Sequence, residues 1–171
     1  VDYLMGVYQR RESLRELMFA RGAGVHVQAK QHRNLSEHKL KARLADMQTL
    51  FRRQKPLLPE QVDAALALLV EMADRTLGMR PFPVQAMCAL ALDSGYLAEM
   101  RTGEGKSLTA TLAGVLAGWT GRPCHILTTN EYLAGRDATG FSEFYEACGV
   151  SVGAVIGQME ERQRQSIYRA D

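Results

Sequence analysis

The stretch MRTGEGKS, residues 100–107, decides how the chain is read. It follows YLAEM (96–100), an apolar run of strand length, and precedes LTATLAGVLAGW (108–119), which reads as a helix. Its tail, Gly105-Lys106-Ser107, has the form of the end of a phosphate-binding loop, and a strand before it and a helix after it are the context that motif needs. Gly103 and Gly105 let the backbone turn tightly, so that successive N–H groups point inward at phosphate oxygens. A helix starting at Lys106 adds the positive end of its dipole. On this reading Lys106 pairs with the β- and γ-phosphates of a nucleotide, and the Ser107 hydroxyl ligates magnesium. The full pattern G-x-x-x-x-G-K-[ST] expects glycine where this chain has Met100.

Beyond the loop, helix and strand alternate. CHILTT (124–129) is a second strand, 130–148 a helix, VSVGAVI (150–156) a third strand, and 158–170 a final helix. Ahead of the loop, residues 83–92 form a short helix ending near Gly95. Helices between strands imply parallel pairing with right-handed crossovers, hence an α/β sandwich. The first 79 residues read as all helix. Leu14, Leu17 and Met18 mark a helix over 7–20 that ends near Gly22 and Gly24, leaving 21–35 as a loop. Ser36 caps the next helix, whose stripe is Leu40, Leu44, Met47 and Phe51. Pro56 stops it, Pro59 opens a core helix over 60–77, and Gly78 is placed as the C-cap of that helix.

Composition sets the outer limits. The chain has 171 residues, 46% hydrophobic and 23% charged, enough for a core without staples. Cys88, Cys124 and Cys148 are odd in number and form no CxxC pair, so they read as reduced, buried thiols. The four histidines, His26, His32, His38 and His125, show no metal-ligand spacing and read as structural or surface residues. The longest apolar run, Ala64–Val70, falls far short of the roughly 20 residues of a membrane span, and no secretory signal opens the chain. The missing initiator Met suggests a piece of something longer. Residues 1–60 carry a net charge of +6 and residues 61–171 a net of −4, an asymmetry that suits either an anionic partner or solvated helix faces.

The run AEMRTGEGKSLTATL (98–112) closely resembles the first ATPase motif of the SecA family, the motor subunits of bacterial preprotein translocase. That family itself carries Met at the position of Met100, so the departure counts for the resemblance. RPFPVQ (80–85) is similar to the family's segment ahead of its first strand, and TTNEYLAGRDA (128–138) to the stretch after its second. The clear resemblance covers about 80–156, with weaker likeness over 1–79. It implies a RecA-like P-loop NTPase fold, a parallel sheet flanked by helices, in which 80–171 is the N-terminal half of a nucleotide-binding domain. It implies ATP or ADP and magnesium as ligands, bound by Gln85, Arg101, Thr102, Gly103, Glu104, Gly105, Lys106 and Ser107. Gln85 would contact the adenine, while Phe82 and Met79 either line the adenine face or serve in packing. Asn130 and Asp137 fall at a sheet edge, with Asn130 equally well a helix cap. Ser107 stands where the family usually has Thr, with the same hydroxyl for magnesium.

The resemblance also implies export-channel subunits and unfolded preproteins as partners, and a cytoplasmic location at the inner face of the membrane. No strand ending in paired carboxylates and no second RecA-like domain is visible in the 171 residues, so the expectation is nucleotide binding with little hydrolysis. Two other readings share the loop: a helicase-like nucleic-acid motor and a non-catalytic RecA-like module. Against the first, residues 1–60 offer only Tyr3, Tyr8, Phe19 and Phe51 as stacking platforms, which makes nucleic acid a poor partner.

Overall fold

The computed structural model describes the backbone of residues 2–170 and the side chains of 13–170; Tyr3 and Tyr8 lie outside the described side chains. Within these residues the elements are α1 (Asp2–Gln31), α2 (Glu37–Arg53), α3 (Pro59–Leu77), α4 (Pro83–Asp93), α5 (Lys106–Trp119), α6 (Glu131–Gly140), α7 (Ser142–Ala147) and α8 (Glu161–Ile167).

The core is organised around α3. Its residues from Ala65 to Ala73 are all buried, because neighbouring helices pack on several of its faces: α1, α2, α4, α5 and α7. A helix apolar all round is stable only when enclosed in this way. Pro59 sits in its first turn, and Gly78 closes it at φ +62°, a conformation that costs a residue with a Cβ. Ser36 caps α2 by accepting from the Lys39 N–H at 3.3 Å. The Leu40, Leu44 and Phe51 stripe of α2 is buried, and Phe51 meets Trp119 of α5 edge to face at 5.6 Å. The Trp119 indole donates to the Cys148 carbonyl at 2.8 Å, which ties the end of α7 to the same core.

The sequence expectation of a loop over 21–35 fails for 21–31, and only 32–35 form a turn. Helix α1 continues unbroken to Gln31. The buried positions Met18, Val25, Ala29 and His32, with Gly22 between them, form one stripe at three- and four-residue steps. Gly22 is a contact and not a stop. A Cβ there would lie 2.7 Å from the Pro83 carbonyl and 2.8 Å from the Met87 N, so glycine is what lets α1 press against the first turns of α4. Arg21 locks the same face to α3 with a bidentate pair to Asp63, 2.7 Å at its shortest.

Three further expectations change. The helix over 130–148 is two, α6 and α7, separated at the buried Phe141 (φ −109°, ψ 7°). The last helix is shorter, 161–167 in place of 158–170. The parallel sheet is not observed. Segments 96–100, 124–129 and 150–156 are non-helical and carry no strand ladder among the described residues. A strand exists only through hydrogen bonds to a neighbouring strand, and these three segments find none in one another.

Candidate phosphate-loop site

The loop 100–107 joins an exposed non-helical segment to α5 and is built from its own polar atoms. Gly103 (φ +88°) and Gly105 (φ +80°) both adopt backbone that L residues avoid. A Cβ on Gly103 would meet nothing within 4 Å, so its glycine answers to conformation alone. One on Gly105 would lie 2.1 Å from the Gln85 Nε2, so here conformation and space both demand glycine. The Arg101 N–H donates to the Glu104 carboxylate at 2.9 Å, and the Glu104 N–H to the Arg101 carbonyl at 3.3 Å. Lys106 folds back over the loop, its Nζ 2.9 Å from the Arg101 carbonyl and 3.4 Å from that of Met100.

Helix α5 begins with its N-cap at Gly105, and its first intrahelical bond runs from the Thr109 N–H to the Gly105 carbonyl at 3.1 Å. The N–H groups of Lys106, Ser107 and Leu108 precede that bond and are the donors a helix N-terminus leaves open. They stand beside an exposed lysine and a half-buried hydroxyl, a donor set suited to an oxyanion.

Gln85, the residue expected to contact adenine, is held within the chain. It is only 5% exposed. Its Oε1 accepts from the Phe82 N–H at 2.8 Å, and its Nε2 donates to the Glu104 carbonyl at 3.0 Å. Both ends of the amide are thus engaged within the chain, and the residue bridges the start of α4 to the loop. Gln61 and Gln163 make the same N3-to-N-cap bond at the starts of α3 and α8, to Leu58 and Glu160. Phe82 is 68% exposed and Met79 is exposed beside it, so neither is consumed by the core.

Sequence reasoning missed Arg136. Helix α6 carries it to the loop, where its Nη2 donates to the Ser107 hydroxyl at 3.2 Å while also pairing with Asp137. A positive charge on the residue assigned to magnesium has no signal in the sequence, because 29 residues separate the two. Asn130 acts as the N-cap of α6, accepting from the Leu133 N–H at 2.9 Å. Behind Ser107 a cavity of about 410 Å³ runs between α5 and the non-helical segments, lined by Thr111, Gly114, Cys124, Tyr145 and Val152 among others. Burial pushes the Cys124 and Tyr145 protons on more tightly, so neither is poised as a nucleophile. Burial raises Cys148 in the same way, and Cys88 is raised by burial and then by the Glu104 carboxylate. Cys88 and Cys148 are buried free thiols, whereas Cys124 is only half-buried, short of the expected burial.

The family model of the SecA DEAD-like domain matches residues 6–171. The chain is 45% identical over 168 residues to protein translocase subunit SecA 2 of Chlorobium chlorochromatii, covering 98% of this chain and 25% of that protein. It is 47% identical over 137 residues to SecA 2 of Magnetococcus marinus, covering 80% of this chain and 21% of that protein. It is 47% identical over 131 residues to protein translocase subunit SecA of Neisseria meningitidis, covering 77% and 13%. The chain thus spans a quarter or less of the length of these curated relatives.

Proposed function

The chain belongs to the SecA DEAD-like domain family, and from that premise we propose that it forms the ATP-binding part of a preprotein-translocating motor. The observation that carries the reading is the loop itself. Two positive-φ glycines, open N–H groups at the start of α5, and the Lys106 ammonium converge on one exposed turn. In this reading Lys106 leaves the Arg101 carbonyl for phosphate oxygens, exchanging a neutral acceptor for a charged one, which makes the stronger hydrogen bond. Arg101, Thr102, Gly103, Glu104 and Gly105 shape the cradle. The Ser107 hydroxyl, now accepting from Arg136, would hold magnesium, and Arg136 would be free to face the phosphate charge. ATP supplies the phosphoryl group, and magnesium neutralises charge on it when bound.

Gln85 reads the adenine in this proposal only by giving up one of its present bonds, to the Phe82 N–H or to the Glu104 carbonyl. Base binding would then loosen the loop as the phosphates enter it. For the 171 residues taken alone we infer binding with little turnover, because no strand ending in paired carboxylates is read among them to hold magnesium and orient the attacking water. Export-channel subunits, unfolded preproteins and a cytoplasmic site against the membrane belong to the same proposal. It is supported by the translocase subunits the chain resembles.

Titration with fluorescent ADP and magnesium tests the reading. The expected result is saturable binding that Lys106→Ala weakens about 10–100-fold, the worth of a charge-assisted bond to phosphate. Absence of binding in the unsubstituted chain, or equal binding by Lys106→Ala, overturns it.

A further inference from the structure

Glu71 stands in the middle of the core helix α3, 3% exposed among apolar neighbours. A lone carboxylate there would be costly to bury, and both of its oxygens are matched by guanidinium groups. Oε1 accepts from Arg75 Nε at 3.0 Å, and Oε2 from Arg80 Nη1 at 3.0 Å. Arg75 reaches on to the His32 and Arg33 carbonyls, just past the end of α1, at 3.1 and 3.2 Å. The same Nη1 of Arg80 also donates to Asp74 at 2.5 Å.

Arg80 is separated from Phe82 by a single residue, Pro81, whose ring fixes φ and leaves little slack. His26 of α1 lies close to the Pro81 backbone and to Arg80. The Phe82 N–H is the group held by Gln85, and Gln85 in turn holds the Glu104 carbonyl of the loop. The Phe82 side chain is largely exposed while Pro81 beside it is buried, so the segment is held at Pro81 and by the Arg80 ion pairs.

We infer that Arg80 is a positioning residue for the phosphate loop: through Pro81, Phe82 and Gln85 its ion pairs with Glu71 and Asp74 register the loop against α3 and the end of α1. The inference deepens the nucleotide reading and rests on it for the identity of the ligand, but the mechanical link is a property of the unliganded chain. It gives the helical first half a part in the site beyond filling a core. Both carboxylates accept from one nitrogen, so a point charge at position 80 suffices, whereas loss of that charge does not.

The experiment measures amide hydrogen exchange in the unliganded chain, and fluorescent ADP affinity in parallel, for Arg80→Ala and Arg80→Lys. In Arg80→Ala, exchange at the Phe82 and Glu104 N–H groups rises about tenfold more than at Val115 and Leu116 in α5, and the ADP dissociation constant rises about tenfold. Arg80→Lys returns both to within about threefold of the unsubstituted chain. Exchange that rises equally in α5 overturns the inference, because it reports lost stability alone. Unchanged exchange at Phe82 and Glu104 overturns it as well. If Arg80→Ala does not fold, Asp74→Asn removes one half-exposed partner and must raise the same two amides about threefold; no rise overturns the inference. If the unsubstituted chain binds no ADP while the two amides still respond selectively, the nucleotide reading falls and the positioning role stands.

Discussion

The two halves of the molecule were given similar apolar content and used it differently. In the first, α1 to α4 bury stripe against stripe, and the residues from Ala65 to Ala73 are all out of solvent. In the second, the apolar segments between helices stay outside: Leu97 is 96% exposed and Leu127 93%. The difference follows from where each element finds its hydrogen bonds. A helix satisfies its backbone within itself and needs neighbours only for its side chains. A strand needs a second strand before its backbone is paired at all. Segments 96–100, 124–129 and 150–156 have apolar side chains but no ladder among the described residues, and apart from Val150, which reaches the core beside α7, none of their residues is buried.

The contrast can be broken most decisively at the joint between the halves. Trp119→Ala removes the largest fully buried side chain, its edge contact with Phe51 and its bond to Cys148. It is expected to cost about 3–5 kcal/mol in denaturant unfolding. A loss below about 1 kcal/mol would mean that α5 does not share the first half's core. Gly22→Ala sharpens the comparison inside the helical half: its methyl would strike the backbone of Pro83 and Met87, with an expected loss of about 1–3 kcal/mol. Gly24→Ala, two residues on and facing open space, should instead stabilise by about 0.5–1 kcal/mol. Opposite signs for the pair are the test, and two losses would contradict the close approach of α1 to α4. The smallest effect belongs to the exposed segments. Leu127→Ser should shift thermal or chemical unfolding of this chain by no more than about 0.5 kcal/mol, whereas a loss above 1 kcal/mol would show that segment to be packed.

The site was legible to the extent that it is local. Gly103, Gly105, Lys106 and Ser107 are consecutive or nearly so, and their backbone requirements are written in glycine, so loop and helix start could be read directly. The bonds Gln85 makes to the Phe82 N–H and the Glu104 carbonyl were not read from the sequence, because they depend on how far the start of α4 lies from the loop. Arg136 was invisible for the same reason: nothing in 29 residues of spacing says that α6 will lay its guanidinium on Ser107. In the fold, α2, α3 and α4 were read nearly to their ends from caps and prolines. The misreading of Gly22 came from treating glycine as a stop, where the structure uses it for contact.

Sequence by itself therefore determined the glycine turn ahead of α5, the helical first half, and the kinship with translocase subunits that the comparisons establish. These depend on local backbone preference and on short-range pattern, which neighbouring residues carry without help. Tertiary structure alone decided that α1 runs through its glycines, that Glu71 and Arg80 lie between the core and the loop, and that the strand-length segments form no ladder among the described residues. Each of those outcomes turns on atoms that are distant in the chain and meet only when the helices pack.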